Sequence, residues 1–259
     1  MITIDQRKCI GCGQCIQVCP FTVLKRSDGG KAVHTGKSCI ACMHCAAVCP
    51  KEAITYDGES AVSEKVRPLP EQCSAAIEQL VYQRRSYRRF QKKKVPGELI
   101  KKALDAAMIA PSAKNQHPDR WILIETEAVK TKLMEMILQY CKGNQVSMEI
   151  LSEYENHNNP VMGENAVLLI GVCKDDALNP WQDTAIALAT AELILQAEGV
   201  GTCWGGYLTR FVNAIPTCRK LLGISDGSSA YGSLMIGYPE GQEYRRIPVR
   251  LVKAEVTKI

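Results

Sequence analysis

Cysteines are the residues of this sequence whose number and spacing point most clearly to chemistry. The chain has 13 of them in 259 residues, and eight lie in two tight groups before residue 50. Cys9-Ile-Gly-Cys-Gly-Gln-Cys-Ile-Gln-Val-Cys-Pro20 recurs 30 residues later as Cys39-Ile-Ala-Cys-Met-His-Cys-Ala-Ala-Val-Cys-Pro50. Disulfide scaffolds are typically short and secreted, whereas this N-terminus lacks the apolar core of a secretory signal. The clustered cysteines therefore indicate metal ligands in a reducing cytoplasm.

Both copies have the form C-x2-C-x2-C-x3-C-P, which resembles the repeat of bacterial ferredoxins with two [4Fe–4S] clusters. Three cysteines at two-residue intervals can wrap one cluster, and the fourth, before proline, is too far along the chain to reach it. The resemblance thus implies crossed ligand sets. Cluster one takes Cys9, Cys12, Cys15 and Cys49. Cluster two takes Cys39, Cys42, Cys45 and Cys19.

A zinc site or redox-active dithiols are the alternatives for these cysteines. Zinc ribbons use two C-x-x-C pairs with a longer gap, and four ligands in total. The doubled four-cysteine run does not fit that pattern. We expect Gly11 and Gly13 to let backbone N–H groups approach the sulfurs, and His34 and His44 to be solvated.

The repeat defines the first of two predicted domains. Residues 1–57 form a small βαβ-type unit with few apolar side chains, and a unit of this size normally needs metal as its core. Residues 58–72, with Gly58, Pro68 and Pro70, are interpreted as a linker. Residues 73–259 alternate helical and strand patterns irregularly, which predicts an α+β fold. The expected helices are 74–85, 99–110, 129–141 and 181–198, and the expected strands are 121–125, 167–173 and 230–237.

The larger domain carries four short motifs. They are Arg84-Arg-Ser-Tyr-Arg-Arg-Phe90, Ala110-Pro-Ser-Ala-Lys-Asn-Gln-His-Pro-Asp-Arg-Trp121, Gly199-Val-Gly-Thr-Cys-Trp-Gly-Gly206 and Gly237-Tyr-Pro239 with the arginines up to Arg250. Their types and order resemble those of the FMN-dependent nitroreductases, over nearly all of residues 74–259. His117 and Asp119 stand where that family usually has glutamine and tryptophan.

The resemblance implies an FMN site. Its phosphate and ribityl chain would be bound by Arg84, Arg85, Ser86 and Arg88, and by Arg246 or Arg250. Pro111, Ser112 and Asn115 would reach the flavin across a homodimer interface. Gly205 and Gly206 would place backbone N–H groups near the flavin N5, where a side chain would crowd the ring. A solvated surface or a nucleic-acid patch is the alternative for the basic run, and Lys92–Lys94 are expected to be solvated.

Composition excludes other classes. No apolar run approaches the roughly 20 residues of a membrane span. The net charge of +5 is not a nucleic-acid signal, because two clusters with their thiolates would remove about 4 charges. The sequence lacks the glycine-rich fingerprints of dinucleotide and nucleoside-triphosphate domains, so any NAD(P)H must stack on the flavin itself.

The sequence therefore predicts a cytoplasmic, homodimeric iron–sulfur flavoprotein oxidoreductase. Its clusters would pass electrons from a donor such as NAD(P)H or reduced ferredoxin to FMN, which would reduce a small acceptor. The nitroreductase resemblance implies that this acceptor is a nitroaromatic or a quinone. Two alternatives stay open: an electron carrier serving another redox protein, and a flavin reductase of one specific metabolite. Methionines and aromatic residues between 134 and 162 form either a lid over the flavin or ordinary core.

Overall fold

The computed structural model describes residues 1–62, 65–118, 120–241, 244–248 and 254–259. Two compact units account for these residues. The N-terminal unit comprises Met1–Pro70 with Lys114–Gln116, and the C-terminal unit comprises Glu71–Ala113 with His117–Ile259. No helix in the described ranges is long and apolar enough to cross a membrane.

The N-terminal unit is built from short elements that follow the sequence repeat. They are β1 (Ile2–Ile4), α1 (Gln14–Gln17), β2 (Leu24–Arg26), β3 (Ala32–His34), α2 (His44–Ala47), β4 (Ile54–Tyr56) and β5 (Glu59–Ser60). β1, β4 and β5 form one antiparallel sheet, and β2 pairs with β3 in another. β5 lies within the segment predicted as linker, because the turn at Asp57 and Gly58 folds it back onto β4.

A small apolar core supports the cysteine loops. Ile2, Leu24, Ala32, Ala46 and Ile54 are buried in it, and most of the motif cysteines border it. A core of this size leaves the loops dependent on what they bind.

The C-terminal unit is a four-stranded antiparallel sheet between two helical layers. Its elements are α3 (Cys73–Gln83), α4 (Gly97–Ala107), β6 (Arg120–Ile124), α5 (Glu127–Asn144), α6 (Glu149–Glu155), β7 (Val167–Lys174), α7 (Pro180–Ala197), β8 (Gly201–Trp204), α8 (Gly206–Ala214), α9 (Pro216–Leu221) and β9 (Ser228–Gly237). The strand order is β6-β7-β9-β8. Apolar residues of α4 and α7 form one buried cluster, and those of α5, α6, α8 and α9 form the other.

The predicted α+β class is confirmed, as are the expected long helices and strands of the C-terminal unit, with slightly different ends. Sequence periodicity missed the short elements β8, α6, α8 and α9. β8 and α8 start at glycines, which have a low propensity for either structure. They nevertheless define the sheet edge that carries the third motif.

Candidate cofactor sites

The two cysteine loops have matching backbone geometry. Each has a left-handed residue two positions after its first cysteine and another immediately before its short helix. In the first loop these are Gly11 and Gly13, and in the second they are Ala41 and Met43. A Cβ on Gly11 would meet the Gly30 carbonyl oxygen at 2.6 Å, so only glycine fits there.

Each loop encloses one small cavity lined by four cysteines. The first cavity contacts Cys9, Cys12, Cys15 and Cys49. The second contacts Cys39, Cys42, Cys45 and Cys19. The fourth cysteine of each repeat thus lies with the first three of the other repeat, in the sets that the ferredoxin resemblance implies.

Electrostatic coupling within each set follows the same division. Burial raises the pKa of the Cys15 thiol, and Cys49, Cys9 and Cys12 raise it further. Burial raises the pKa of Cys45 to about 11. The hydrogen bond from the Ala46 N–H lowers this pKa, and the other thiols of the set raise it. A bound metal group must displace these protons, because thiolates are the ligands.

The thiols that line each cavity are not arranged around a single-ion site. Among the described residues, no three His, Cys, Asp or Glu side chains converge closely enough to hold a single metal ion. Backbone N–H groups nevertheless point at the sulfurs. Those of Val23, Ala41 and Ala53 donate to Cys19, Cys39 and Cys49 at 3.3–3.4 Å.

Arginines from two distant segments meet in the C-terminal unit. A cavity of about 320 Å³ is lined by Arg84, Arg85, Arg245 and Arg246, with Tyr87 and Tyr244 among the other residues. The Tyr244 ring packs edge-on against Tyr87 at 5.5 Å between centroids, and the Arg85 guanidinium lies over Tyr244. Arginine forks suit a phosphate, so the cavity fits the predicted phosphate site.

Of the two arginines predicted as C-terminal phosphate ligands, Arg246 lines this cavity and Arg250 lies outside the described residues. Arg245 was not predicted. The sequence feature that could have identified Arg245 is its position beside Arg246, after an aromatic residue that could pack on the first arginine segment.

A buried polar network holds Arg84. The Glu192 carboxylate on α7 lies 3.8 Å from Arg84 and accepts hydrogen bonds from Thr202 Oγ1 at 2.9 Å and Trp204 Nε1 at 3.2 Å. Gln196, one turn along α7, pairs with both backbone groups of Arg85. The long helix thus fixes the first arginine segment against β8, an arrangement that no sequence motif signalled.

Ser86 and Arg88 lie on a different side of their segment from Arg84. Ser86 pairs with Thr202 in a parallel bridge. Burial raises the pKa of the Cys203 thiol, while the Arg88 charge and a hydrogen bond with Ser86 lower it. These two residues therefore border β8 and do not line the arginine cavity.

Gly205 and Gly206 form a tightly held turn between β8 and α8. The Gly205 carbonyl accepts from Ser233 Oγ at 2.8 Å, Thr209 Oγ1 at 3.2 Å and the Thr209 N–H at 3.0 Å. A Cβ on Gly205 would lie 2.5 Å from Ser233 Oγ, whereas a Cβ on Gly206 would point into open space. Gly206 also lines a cavity of about 620 Å³, together with Trp181, Trp204 and Tyr231.

The second motif forms a turn after α4. Its ends are anchored within the C-terminal unit: Ser112 Oγ accepts from the His117 N–H, and the Ala113 N–H donates to the buried Asp183. Asn115 belongs to the N-terminal unit, where its amide donates to the Ala41 carbonyl at 3.3 Å. Pro111 and Ser112 do not line the arginine cavity of their own chain, and Asp119 lies outside the described residues.

The proposed lid residues divide into two groups. Met134 and Met162 are buried core, while Met148 and Tyr154 are exposed. The core interpretation therefore holds for the first pair.

Comparison with known proteins agrees with both halves of the chain. A model of the nitroreductase family matches residues 81–238, and a model of a 4Fe-4S dicluster domain matches residues 1–50. An Archaeoglobus fulgidus protein, provisionally named NADH dehydrogenase/NAD(P)H nitroreductase, is 28% identical over 170 residues, 63% of this chain and 86% of its own length.

Solved structures share the fold of the larger unit. A Bacteroides fragilis nitroreductase with bound FMN superposes with a TM-score of 0.58 at 18% identity, covering 70% of this chain and 98% of its own. A Desulfitobacterium hafniense nitroreductase with bound FMN gives 0.58 at 19%, with the same coverage. Since one family model spans more than half of the chain and the dicluster model precedes it, the chain belongs to the nitroreductase family and carries an N-terminal 4Fe-4S dicluster domain.

Proposed function

We propose that this protein is an FMN-dependent oxidoreductase whose N-terminal unit holds two [4Fe–4S] clusters that deliver electrons to the flavin. The flavin then reduces a small acceptor such as a nitroaromatic or a quinone. The observation that carries the proposal is the presence of two four-cysteine cavities and one four-arginine cavity in a single chain.

Different residues of the chain would bind different parts of FMN. Arg84, Arg85, Arg245 and Arg246 would hold the FMN phosphate, with Arg250 as a further candidate. Charge-assisted hydrogen bonds of this kind contribute about 1.5–3 kcal/mol each. Ser86 and Arg88 would bind the ribityl chain and the ring edge, and Pro111, Ser112 and Asn115 would serve the partner subunit's flavin.

The Gly205–Gly206 turn would orient the flavin ring. Gly206 is the first residue of α8, so its N–H has no partner within the helix. The side-chain hydroxyls on the Gly205 carbonyl fix the plane of the peptide that carries this N–H. When bound, FMN supplies the hydride and electron chemistry. The open cavity beside Gly206, with its aromatic walls, favours a planar small acceptor over a role as carrier alone.

The phosphate assignment is tested by comparing FMN with riboflavin. Arg84→Ala and Arg246→Ala should each weaken FMN binding about 10-fold or more, since one charge-assisted contact is lost. Riboflavin has no phosphate, so its weaker binding should change much less. Arg89→Ala removes an exposed neighbouring arginine as the control. Equal losses for both flavins, or none for FMN, would place the phosphate elsewhere.

A further inference from the structure

The two cluster cavities are equivalent in backbone but differ in charge. The repeat relates residues 30 apart, and both cavities are lined at matching positions by cysteine, isoleucine and proline. Where Lys51 lines the first cavity, Phe21 lines the second. Lys8 precedes the first cysteine of one loop, and Ser38 precedes that of the other.

Arg26 adds a positive charge to the first loop only. Its Nη1 donates to the Gly11 carbonyl at 2.6 Å and to the Gly30 carbonyl at 2.7 Å. A Cβ on Gly13 would lie 2.7 Å from Arg26 Nη2, so the glycine makes room for the guanidinium. The repeat places Tyr56 at the equivalent position of the second half, and the second loop carries the side chains of Ala41 and Met43.

Charge matters here because reduction makes a thiolate-ligated cluster more negative. Net charge, hydrogen bonds and exposure set the potentials of such clusters. Arg26 is exposed, so solvent damps its effect. Two backbone hydrogen bonds still hold its charge in place over the first loop. Among the described residues that line the second cavity there is His44 but no lysine or arginine.

We infer that Arg26, with Lys51, raises the reduction potential of cluster one above that of cluster two, so that the two clusters are not interchangeable. The inference rests on the proposed presence of both clusters. Electrons that enter this unit then reside mainly on cluster one, and cluster two is the stronger reductant.

The test is a redox titration of the full chain with a dithionite-type one-electron reductant, followed by electron paramagnetic resonance. Iron and sulfide are counted before the titration. The wild type should give two waves. Arg26→Gln should move the higher wave to lower potential and leave the lower wave in place. Lys25→Gln is the matched control, because it removes the same charge from the opposite face of β2 and should move neither wave.

Two further variants keep the test decisive if Arg26→Gln assembles poorly. Lys51→Gln should lower the higher wave, and Phe21→Lys, at a partly exposed position, should raise the lower wave and narrow the gap. A single wave in the wild type, or equal shifts of both waves in these variants, would overturn the inference alone. Fewer than two clusters by iron and sulfide would overturn the proposed function and the inference with it.

Discussion

Gly205 and Gly206 are adjacent, yet their side-chain positions face different surroundings. The Cβ position of Gly205 meets Ser233 Oγ at 2.5 Å, and that of Gly206 meets nothing within 4 Å. Glycine at 205 is therefore required by the chain's own packing. At 206 it leaves space for whatever enters the adjoining cavity.

This difference predicts opposite behaviour for two alanine variants. Gly205→Ala should destabilise the C-terminal unit by about 1–3 kcal/mol, because a side chain is forced into a packed site. Gly206→Ala should change stability by less than about 0.5 kcal/mol and weaken FMN binding instead. Urea unfolding of the flavin-free chain reports on this unit, since the chain's three tryptophans, Trp121, Trp181 and Trp204, all lie in it.

The double variant Gly205→Ala with Ser233→Ala provides the control. The nearest remaining Ser233 atom would be Cβ at 3.5 Å, an ordinary contact. The two substitutions should thus cost less together than the sum of their separate costs. Full additivity would contradict the steric explanation.

Glu192 is a second residue whose role follows from burial. Its side chain is 7% exposed, pairs with Arg84 and accepts hydrogen bonds from Thr202 and Trp204. Glu192→Gln replaces one acceptor oxygen with an amide that cannot accept, which leaves a buried donor unsatisfied. We expect a loss of about 1–3 kcal/mol of unfolding free energy, measured by urea denaturation.

Glu198→Gln is the matched control. Glu198 lies at the end of the same helix and pairs with Lys102 in a more exposed ion pair. Surface pairs contribute about 0–1 kcal/mol, so this variant should remain close to wild type. Similar losses of unfolding free energy for both variants would contradict a stabilising role that is specific to the buried Glu192 network.

At the scale of elements, the C-terminal segment matters because it brings the second arginine pair to the first. Tyr244 is its anchor, in contact with Tyr87 and Arg85. We predict that Tyr244→Ala weakens FMN binding several-fold without lowering the unfolding free energy by more than about 1 kcal/mol. Isothermal titration with FMN measures the affinity.

Tyr244→Phe retains the ring and should retain wild-type affinity. If the phenylalanine variant also binds FMN more weakly, the Tyr244 hydroxyl contributes to binding and the packing of the ring does not explain the effect.

Sequence predicted the elements more completely than their contacts. The cysteine spacing accounts for the three cysteines of each loop, whereas the place of Cys19 and Cys49 beside the other repeat's loop was implied by the ferredoxin resemblance. Helical periodicity was sufficient to place α4, which buries Ile100, Ala103 and Ala107 on one face, whereas α7 was placed by its alanine- and leucine-rich composition ending at Gly199. The Glu192 network and the meeting of Arg245 with Arg84 could not be predicted, because they join residues far apart in sequence through long-range packing.

At the scale of the whole molecule, the apolar surface bears on assembly. The alanine- and leucine-rich faces of α7 suggest a dimer contact, in addition to the shared flavin site that the nitroreductase resemblance implies. Leu188, Ala191 and Leu195 are in fact buried within their own chain, so they add nothing to it. Exposed apolar residues remain at Trp181 and Ile186 of α7, and α3 buries none of its residues.

We still predict a homodimer. It must be stabilised by residues other than the buried ones of α7. Burial of exposed apolar surface is the expected driving force. Light scattering of the flavin-loaded chain should report twice the 28.6 kDa chain mass. Ile186→Asp should shift the population toward monomer, and Ile109→Asp, at another exposed isoleucine, tests whether any surface charge has that effect. A flavin-loaded monomer in the wild type would exclude the dimer.

The proposed clusters and flavin would share one chain. Covalent linkage replaces a bimolecular encounter with an intramolecular one, at an effective concentration of about mM for a short linker. This arrangement is useful if electrons pass from an external donor through the clusters to FMN and then to the acceptor.

The most direct test is the rate of acceptor reduction in a Cys12→Ala, Cys42→Ala double variant, which loses one ligand from each cluster set. A low-potential one-electron donor and NAD(P)H are compared as electron sources, with Cys73→Ala, outside both motifs, as the control. We predict that the double variant retains FMN and any turnover with NAD(P)H but loses turnover driven by the one-electron donor. Donor-driven reduction at the wild-type rate would contradict the relay and leave the N-terminal unit a role in docking or stability.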